Sequence, residues 1–295
     1  WVNIMEKVVL IDGNNLMFRS YYATAYTGNF MQNSKGFPTN ALFGFTNMIN
    51  KILNEEKPEY MIVAFDKGKT FRHEEYKEYK GGRNETPDEL KMQFPVAKQL
   101  LEAMGIKYYE IDNYEADDII GTFSAFCEKD ENFTGTIISS DKDLLQLISE
   151  DVDIKLLKQK GHIRYNPITF FAEYKIEPVR IVDLKALAGD SSDNIPGVPG
   201  VGEKTGLSLI QKYEDIDTIY NILSRVQEEN DENSIVLIHD GVRPIVTDEE
   251  ITNNINSVIE HGSAITCIPF TETPIYSEDG DVIDKTLDRK MIYRG

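Results

Sequence analysis

The sequence predicts an α/β protein with a mostly parallel central sheet flanked by helices. Strand-like stretches recur at residues 8–11, 60–65, 106–111, 136–139 and 153–157, several of them rich in Val and Ile. Stretches of helical length separate most of them, and strands alternating with helices make βαβ units. The runs at 8–11 and 60–65 are apolar without alternation, the pattern of strands covered by helices on both faces.

In chain order, Val8-Val9-Leu10-Ile11 is the first buried strand. Thr39, after Gly36 and Pro38, is an N-cap for a helix to about residue 54. Residues 60–65 form the second strand, Pro87 opens a helical stretch to residue 104, and 106–111 is the third strand. A helix over 115–129 and strands at 136–139 and 153–157 follow. Residues 183–189 read as a short helix that runs into a glycine-rich hairpin and a second helix.

A chain of 295 residues is long enough for about two domains, and 41% hydrophobic with 27% charged residues is an ordinary globular composition. No apolar run approaches the ~20 residues of a membrane span, and no signal-peptide pattern opens the chain. Cys127 and Cys267 are too few for a disulfide framework, which points to the reducing cytoplasm. The net charge of −19 argues against a polyanionic partner when taken as an average. Its distribution argues otherwise. Residues 1–224 carry −10, and the 71 residues 225–295 carry −9. Residues 67–83 hold six basic residues (Lys67, Lys69, Arg72, Lys77, Lys80, Arg83) against three acids, with Tyr76 and Tyr79 interleaved.

Three predicted strands run directly into acids: Asp12, Asp66, and Asp141 with Asp143. Open parallel sheets bind ligands outside the carboxyl ends of their strands, so these side chains reach one crevice. Glu115, Asp117 and Asp118 open a helix, and Asp190 and Asp193 follow another. Each acid alone also reads as a turn, a helix cap or a complement to a helix dipole. Together they would repel unless cations neutralise them, and hard oxygen donors favour Mg²⁺ or Mn²⁺. Two such ions suit in-line cleavage of a phosphodiester. His73, His162, His239 and His261 have no metal-ligand spacing, which argues against zinc.

Residues 190–205, DSSDNIPGVPGVGEKT, read as a hairpin that contacts a phosphate backbone. Gly197, Gly200 and Gly202 let main-chain amides approach, and the following helix start at Lys204 and Thr205 adds its dipole. A tight turn between packed helices is the alternative. A P-loop is excluded because Glu203 separates Gly202 from Lys204. The basic stretch 67–83 is either a solvated face or a nucleic-acid contact in which Lys77, Tyr76 and Tyr79 meet phosphates and bases.

Residues 5 to about 220 closely resemble the 5′-nuclease domain of bacterial DNA polymerase I and stand-alone 5′–3′ exonucleases, the flap-endonuclease superfamily. The carriers are LIDGNNLMFRSYYA, FPTNALFGF, VAFDKGKTFRHEEYKEYKGGR, YEADDIIGT, SSDKDLLQL and GDSSDNIPGVPGVGEKT. The resemblance implies a PIN-like core at 5–175 with a helical arch, and a helix–hairpin–helix DNA-binding region at 176–222. It implies that the nine acids line a two-metal site for two Mg²⁺, with Mn²⁺ able to substitute. It places Arg72, Lys80 and Arg83 around the scissile phosphate and the arch, and a K⁺ ion at the hairpin. The implied partner is DNA with a 5′ flap or a 5′ end, with no obligate protein partner and no membrane. Gly206 departs from the Ala usual in the family.

Residues 223–295 resemble an internal fragment of methylerythritol-phosphate and ribitol-phosphate cytidylyltransferases, through IVLIHDGVRPIVTDEEI, GSAITCIPFTETP and TLDRKMIY. On that resemblance Asp240 holds metal and nucleotide, while Arg243, Thr273 and Arg289 face an acceptor phosphate. Strands at 235–238 and 264–268, a helix at 248–260 and a turn at 277–280 make an incomplete α/β fragment. The expectation is a chimeric reading frame joined within residues 217–223, with the nuclease helices beyond that point replaced. Trp1-Val-Asn-Ile before Met5 agrees with such a join. The leading function is therefore a metal-dependent 5′–3′ exonuclease and flap endonuclease of replication and repair. The alternatives are an inactive DNA-structure-binding module and, last, a cytidylyltransferase.

Overall fold

A computed structural model describes residues 5–25 and 31–229, with short pieces at 252, 255–256, 268–269, 275–276, 285–286 and 293–294. Two units divide near residue 220 and are taken separately.

The first unit is built on a six-stranded sheet: β1 (Glu6–Asp12), β2 (Tyr60–Phe65), β3 (Lys107–Glu110), β4 (Phe133–Ser139), β5 (Val152–Leu157) and β6 (His162–Tyr165). The spatial order is β3-β2-β1-β4-β5-β6, parallel except for the β5–β6 pair. The sequence expectation of a mostly parallel sheet holds. The chain adds β2 and β3 on one side of β1 and then crosses to place β4 on the other. The switch point of the topology therefore lies between β1 and β4, where ligands bind in such sheets.

Alternate residues of each strand feed two cores. Val8 and Leu10 pack on one face with α6 (Ala116–Lys129), and Val9 and Ile11 on the other with α1 (Gly13–Ala25), α2 (Asn40–Glu56) and α5 (Gln93–Ala103). Both faces are covered, which is why these strands carry no polar alternation. Thr39 is the residue before α2, as expected. The stretch after Pro87 splits at Met92 into α4 (Asp88–Lys91) and α5.

Several further elements carried no expectation, four of them near the core. Helix α1 continues from β1 without a loop. β6 is an antiparallel edge strand. Asn166 caps α7 (Pro167–Tyr174) by accepting from the Thr169 amide at 2.9 Å, and a 3-10 turn spans Asp143–Leu147. The basic stretch is not one helix: α3 (Phe71–Glu75) is followed by turns through residue 82.

Helices α8 (Ile181–Ala188) and α9 (Glu203–Tyr213) flank the hairpin as expected. Helix α10 (Ile216–Glu229) runs through residue 222, so the expected division falls inside a helix. In the second unit, β7 (Ile268–Pro269) pairs antiparallel with β10 (Tyr293–Arg294), and β8 (Ile275–Tyr276) with β9 (Lys285–Thr286). Asp240, Arg243, Thr273 and Arg289 lie outside the described residues, as do nearly all positions of the elements expected over 235–280.

Candidate active site

The strand ends deliver their acids as the spacing predicts. Asp12 closes β1 beside Ala64 of β2, and Asp66 and Asp141 lie just beyond β2 and β4. Asp12 is 6% exposed; its Oδ1 accepts from the Asn15 amide at 2.8 Å and its Oδ2 from the Ser139 hydroxyl at 3.1 Å. It therefore also caps α1, as the helix-cap reading of an acid after a strand expected. Asp66 Oδ1 accepts from the Ala116 amide at 2.8 Å, which ties the start of α6 to β2. Asp141 Oδ1 accepts from the Asp143 amide at 2.9 Å.

The nine acids fall into two groups. Among the described residues, Asp12, Asp66, Asp117 and Asp141 have no salt bridge. Burial pushes the Asp12 carboxyl up to about 7, with Asp66 and Asp141 adding to it against the hydrogen bonds from Asn15 and Ser139. Burial, then Asp12, Asp141 and Asp66, raise Asp117 well above the usual range. Asp12 thus feels Asp66 and Asp141, and Asp117 feels all three of the others.

The other five are held by cations. Arg72 clamps Asp118 through two bonds of 2.8 Å. Burial alone would raise the Asp118 carboxyl, but Arg72 holds it below its ordinary value. Lys80 Nζ is 2.9 Å from Glu115 Oε2, and Arg83 pairs with Asp193 Oδ1. Lys185 Nζ lies 2.7 Å from Asp143 Oδ1 and 2.6 Å from Asp190 Oδ2. Among the described residues, no three His, Cys, Asp or Glu side chains form a ready-made metal-binding group.

The basic segment docks onto the loop that opens the hairpin. Lys80 has φ of 56° and its amide donates to the Asp193 carbonyl at 2.9 Å, while Asn194 Nδ2 donates to the Glu78 carbonyl at 2.8 Å. Tyr79 was expected to stack on a strand, but it is 6% exposed. Its hydroxyl sits 3.1 Å from Glu115 Oε2 and 3.0 Å from Asp193 Oδ2. Burial, then these two carboxylates, raise the phenol above its ordinary range. Tyr76 is half-buried, with its hydroxyl 3.2 Å from Glu78, and Lys77 is exposed.

In the hairpin, Gly197 has a different purpose from the one expected. A Cβ there would come within 2.3 Å of the Ala188 carbonyl carbon and 2.4 Å of the Gly189 nitrogen, so it is glycine to let two backbones touch. Gly200 needs its positive φ of 82°. Gly202, Lys204 and Thr205 are exposed where α9 begins, available to a phosphate. Lys185 was missed, because an isolated Lys one turn before an Asp carries no signal of the distant Asp143.

A family model for the N-terminal resolvase-like domain of 5′-3′ exonucleases matches residues 7–175, and the model for their C-terminal SAM fold matches residues 176–248. The chain belongs to the 5′-3′ exonuclease family. Within this family the chain is 40% identical to a Bacillus subtilis 5′-3′ exonuclease over 223 residues, 74% of each. It is 50% identical to Bacillus caldotenax DNA polymerase I over 227 residues, 76% of this chain and 25% of that one. The matched segment thus spans about a quarter of that polymerase's length. Among solved structures, bacteriophage T5 flap endonuclease in a pseudo-enzyme–product complex with DNA and metal ions shares the fold. Its TM-score is 0.58 at 22% identity, covering 86% of this chain and 85% of that one.

The two family models meet at 175/176, where the core was expected to end. The second continues to residue 248, past the expected join at 217–223. Residues 223–248 thus match the C-terminal domain model of 5′-3′ exonucleases, and none of these relatives is a cytidylyltransferase.

Proposed function

We propose that the chain is a divalent-metal-dependent nuclease that cleaves DNA at 5′ ends and 5′ flaps, with Mg²⁺ as its ion. One observation carries the reading: Asp12, buried, and Asp66, Asp117 and Asp141, half-buried, stand without a salt bridge among the described residues where the parallel strands end. Burying uncompensated charge is costly, and all-oxygen donors fit a hard cation. Asp12, Asp66, Asp117 and Asp141 would hold the first ion, and Asp143, Asp190 and Asp193 the second. The chemistry such ions supply is polarisation of the phosphodiester and activation of water.

The protein's own groups do the rest. Arg72, Lys80 and Arg83 bring positive charge to the rim of the crevice, where phosphate oxygens can compete for it with Asp118, Glu115 and Asp193. Exposed amides at Gly202 and the start of α9 would grip the duplex backbone, fixing its register. A K⁺ ion at the hairpin belongs to the same proposal, and DNA affinity in K⁺ against Na⁺ tests it. The site of action would be the cytoplasm, where chromosomal DNA is repaired.

A 5′-labelled flap substrate tests the activity. Cleavage is expected with Mg²⁺ and not with EDTA, and it should fall by about 10²–10³-fold or more in Asp12→Ala or Asp141→Ala, on the order of the loss of one electrostatic catalytic group. Flap binding without cleavage in Mg²⁺ or Mn²⁺ would leave only the DNA-binding alternative.

A further inference from the structure

Lys185 stands between two acids that the chain brings from different places. Asp143 opens the 3-10 turn after β4, and Asp190 follows α8. The ammonium lies 2.7 Å from one and 2.6 Å from the other. Asp190 is otherwise saturated: its Oδ1 takes the Ser192 amide and hydroxyl, both at 2.7 Å, and the Asp193 amide at 3.3 Å. Its Oδ2 is thus the oxygen left for a ligand, and Lys185 holds it. The contrast with Asp12, Asp66, Asp117 and Asp141, which have no such partner, is internal to the same crevice.

Burial separates Lys185 from Lys155, another lysine paired with two acids among the described residues. Lys155 bridges Glu55 and Glu56 with a side chain 7% exposed, whereas the Lys185 side chain is 39% exposed. Lys155 is locked in place; Lys185 has a path to water. An ammonium and a divalent cation on the same pair of oxygens would repel at a few ångströms in a site of low dielectric. They exclude one another.

We propose that Lys185 is a built-in, displaceable counter-ion: it holds Asp143 and Asp190 together in the metal-free protein and swings out when that pair takes a divalent cation. The inference rests on the proposed metal-dependent nuclease reading. It adds that the two ions are unequal. The first meets acids that no salt bridge holds; the second binds by exchange with a lysine and is the weaker and more easily lost.

Titration of the full chain with Mn²⁺ alone, following the electron-paramagnetic signal of free Mn²⁺, tests this without turnover. The wild type should show a tight and a weak class of site. In Lys185→Met and Lys185→Gln the weak class should tighten at least tenfold and the tight class stay unchanged. Lys185→Arg, which keeps the charge, should stay weak. In EDTA the two neutral variants should melt below the wild type and recover with Mn²⁺, since Asp143 and Asp190 then face each other uncompensated. Lys185→Gln keeps a donor toward both acids should Lys185→Met fold poorly. Neutral variants whose isotherms superimpose on a two-class wild type overturn the proposal and leave the nuclease reading standing. A wild type that binds no Mn²⁺ overturns both.

Discussion

Glu56, at the end of α2, is the hub that ties that helix to the sheet. Its carboxylate is 2.5 Å from Lys7 Nζ of β1, 2.9 Å from Lys155 Nζ of β5 and 3.2 Å from Arg164 Nη1 of β6, with a side chain 4% exposed. Burial alone would raise its carboxyl. The hydrogen bonds from Lys7 and Lys155, with the charges of Lys7 and Arg164, outweigh burial and bring it from its ordinary 4.5 down to about 2. At about 1.4 kcal/mol per pH unit, that is about 3 kcal/mol of native-state stability.

The sign follows from linkage. A carboxyl whose folded value is depressed stabilises the protein fully above its unfolded value near 4.5. That stability drains away as pH falls through about 2. Glu56→Gln should therefore lose about 3 kcal/mol at pH 7, near the lower end of the cost of orphaning a buried ion partner. Glu55, 2.6 Å from Lys155, limits the loss. Thermal melts should drop by about 6–12 °C for a unit of this size. Urea unfolding at pH 7, 5, 4, 3 and 2.5 measures it: the gap between wild type and variant should hold above pH 5 and narrow steadily below 4.5. A variant within about 0.5 kcal/mol of wild type at pH 7, or a gap independent of pH, would refute the reasoning.

Two further perturbations separate site from scaffold. Asp12→Asn should abolish flap cleavage yet stabilise the protein in EDTA at pH 8 by about 2 kcal/mol. That is half of what the rise of Asp12 from 3.8 to about 7 represents, because the amide keeps only part of its hydrogen bonding; urea unfolding reads it, and Mg²⁺ should close the gap. Gly197→Ala should cost about 3 kcal/mol, at the upper end of overpacking penalties, because its Cβ meets backbone at 2.3 Å. Hydrogen exchange should show the hairpin amides opening, and duplex affinity should fall with cleavage of a free 5′ end less affected.

The parallel core was legible because buried strands are written as unbroken apolar runs, and both residues 8–11 and 60–65 land in β1 and β2. Asp12, Asp66 and Asp141 were legible as neighbours because the ends of parallel strands lie side by side. Features set by tertiary contact were not. β6 reads His-Ile-Arg-Tyr, with three of four side chains exposed, since an antiparallel edge needs little apolar surface. Helix α1 has no loop before it and is capped by Asp12, whose sequence signal points equally to the crevice. Tyr79 resembles any tyrosine in a basic run until the fold buries it between Glu115 and Asp193. Lys185 is legible only once Asp143 is beside it. On the proposed reading the net charge of −19 is partly a property of the site itself, since carboxylates that would hold cations count in full until the cations arrive.

The most direct test is the anomalous-difference density of Mn²⁺-soaked crystals of the full chain. The strongest peak should lie among the carboxylates of Asp12, Asp66, Asp117 and Asp141, and it should vanish in Asp141→Asn. Wild-type crystals with no peak there, or a peak that survives Asp141→Asn unchanged, would contradict the claim that these four acids form the primary metal site.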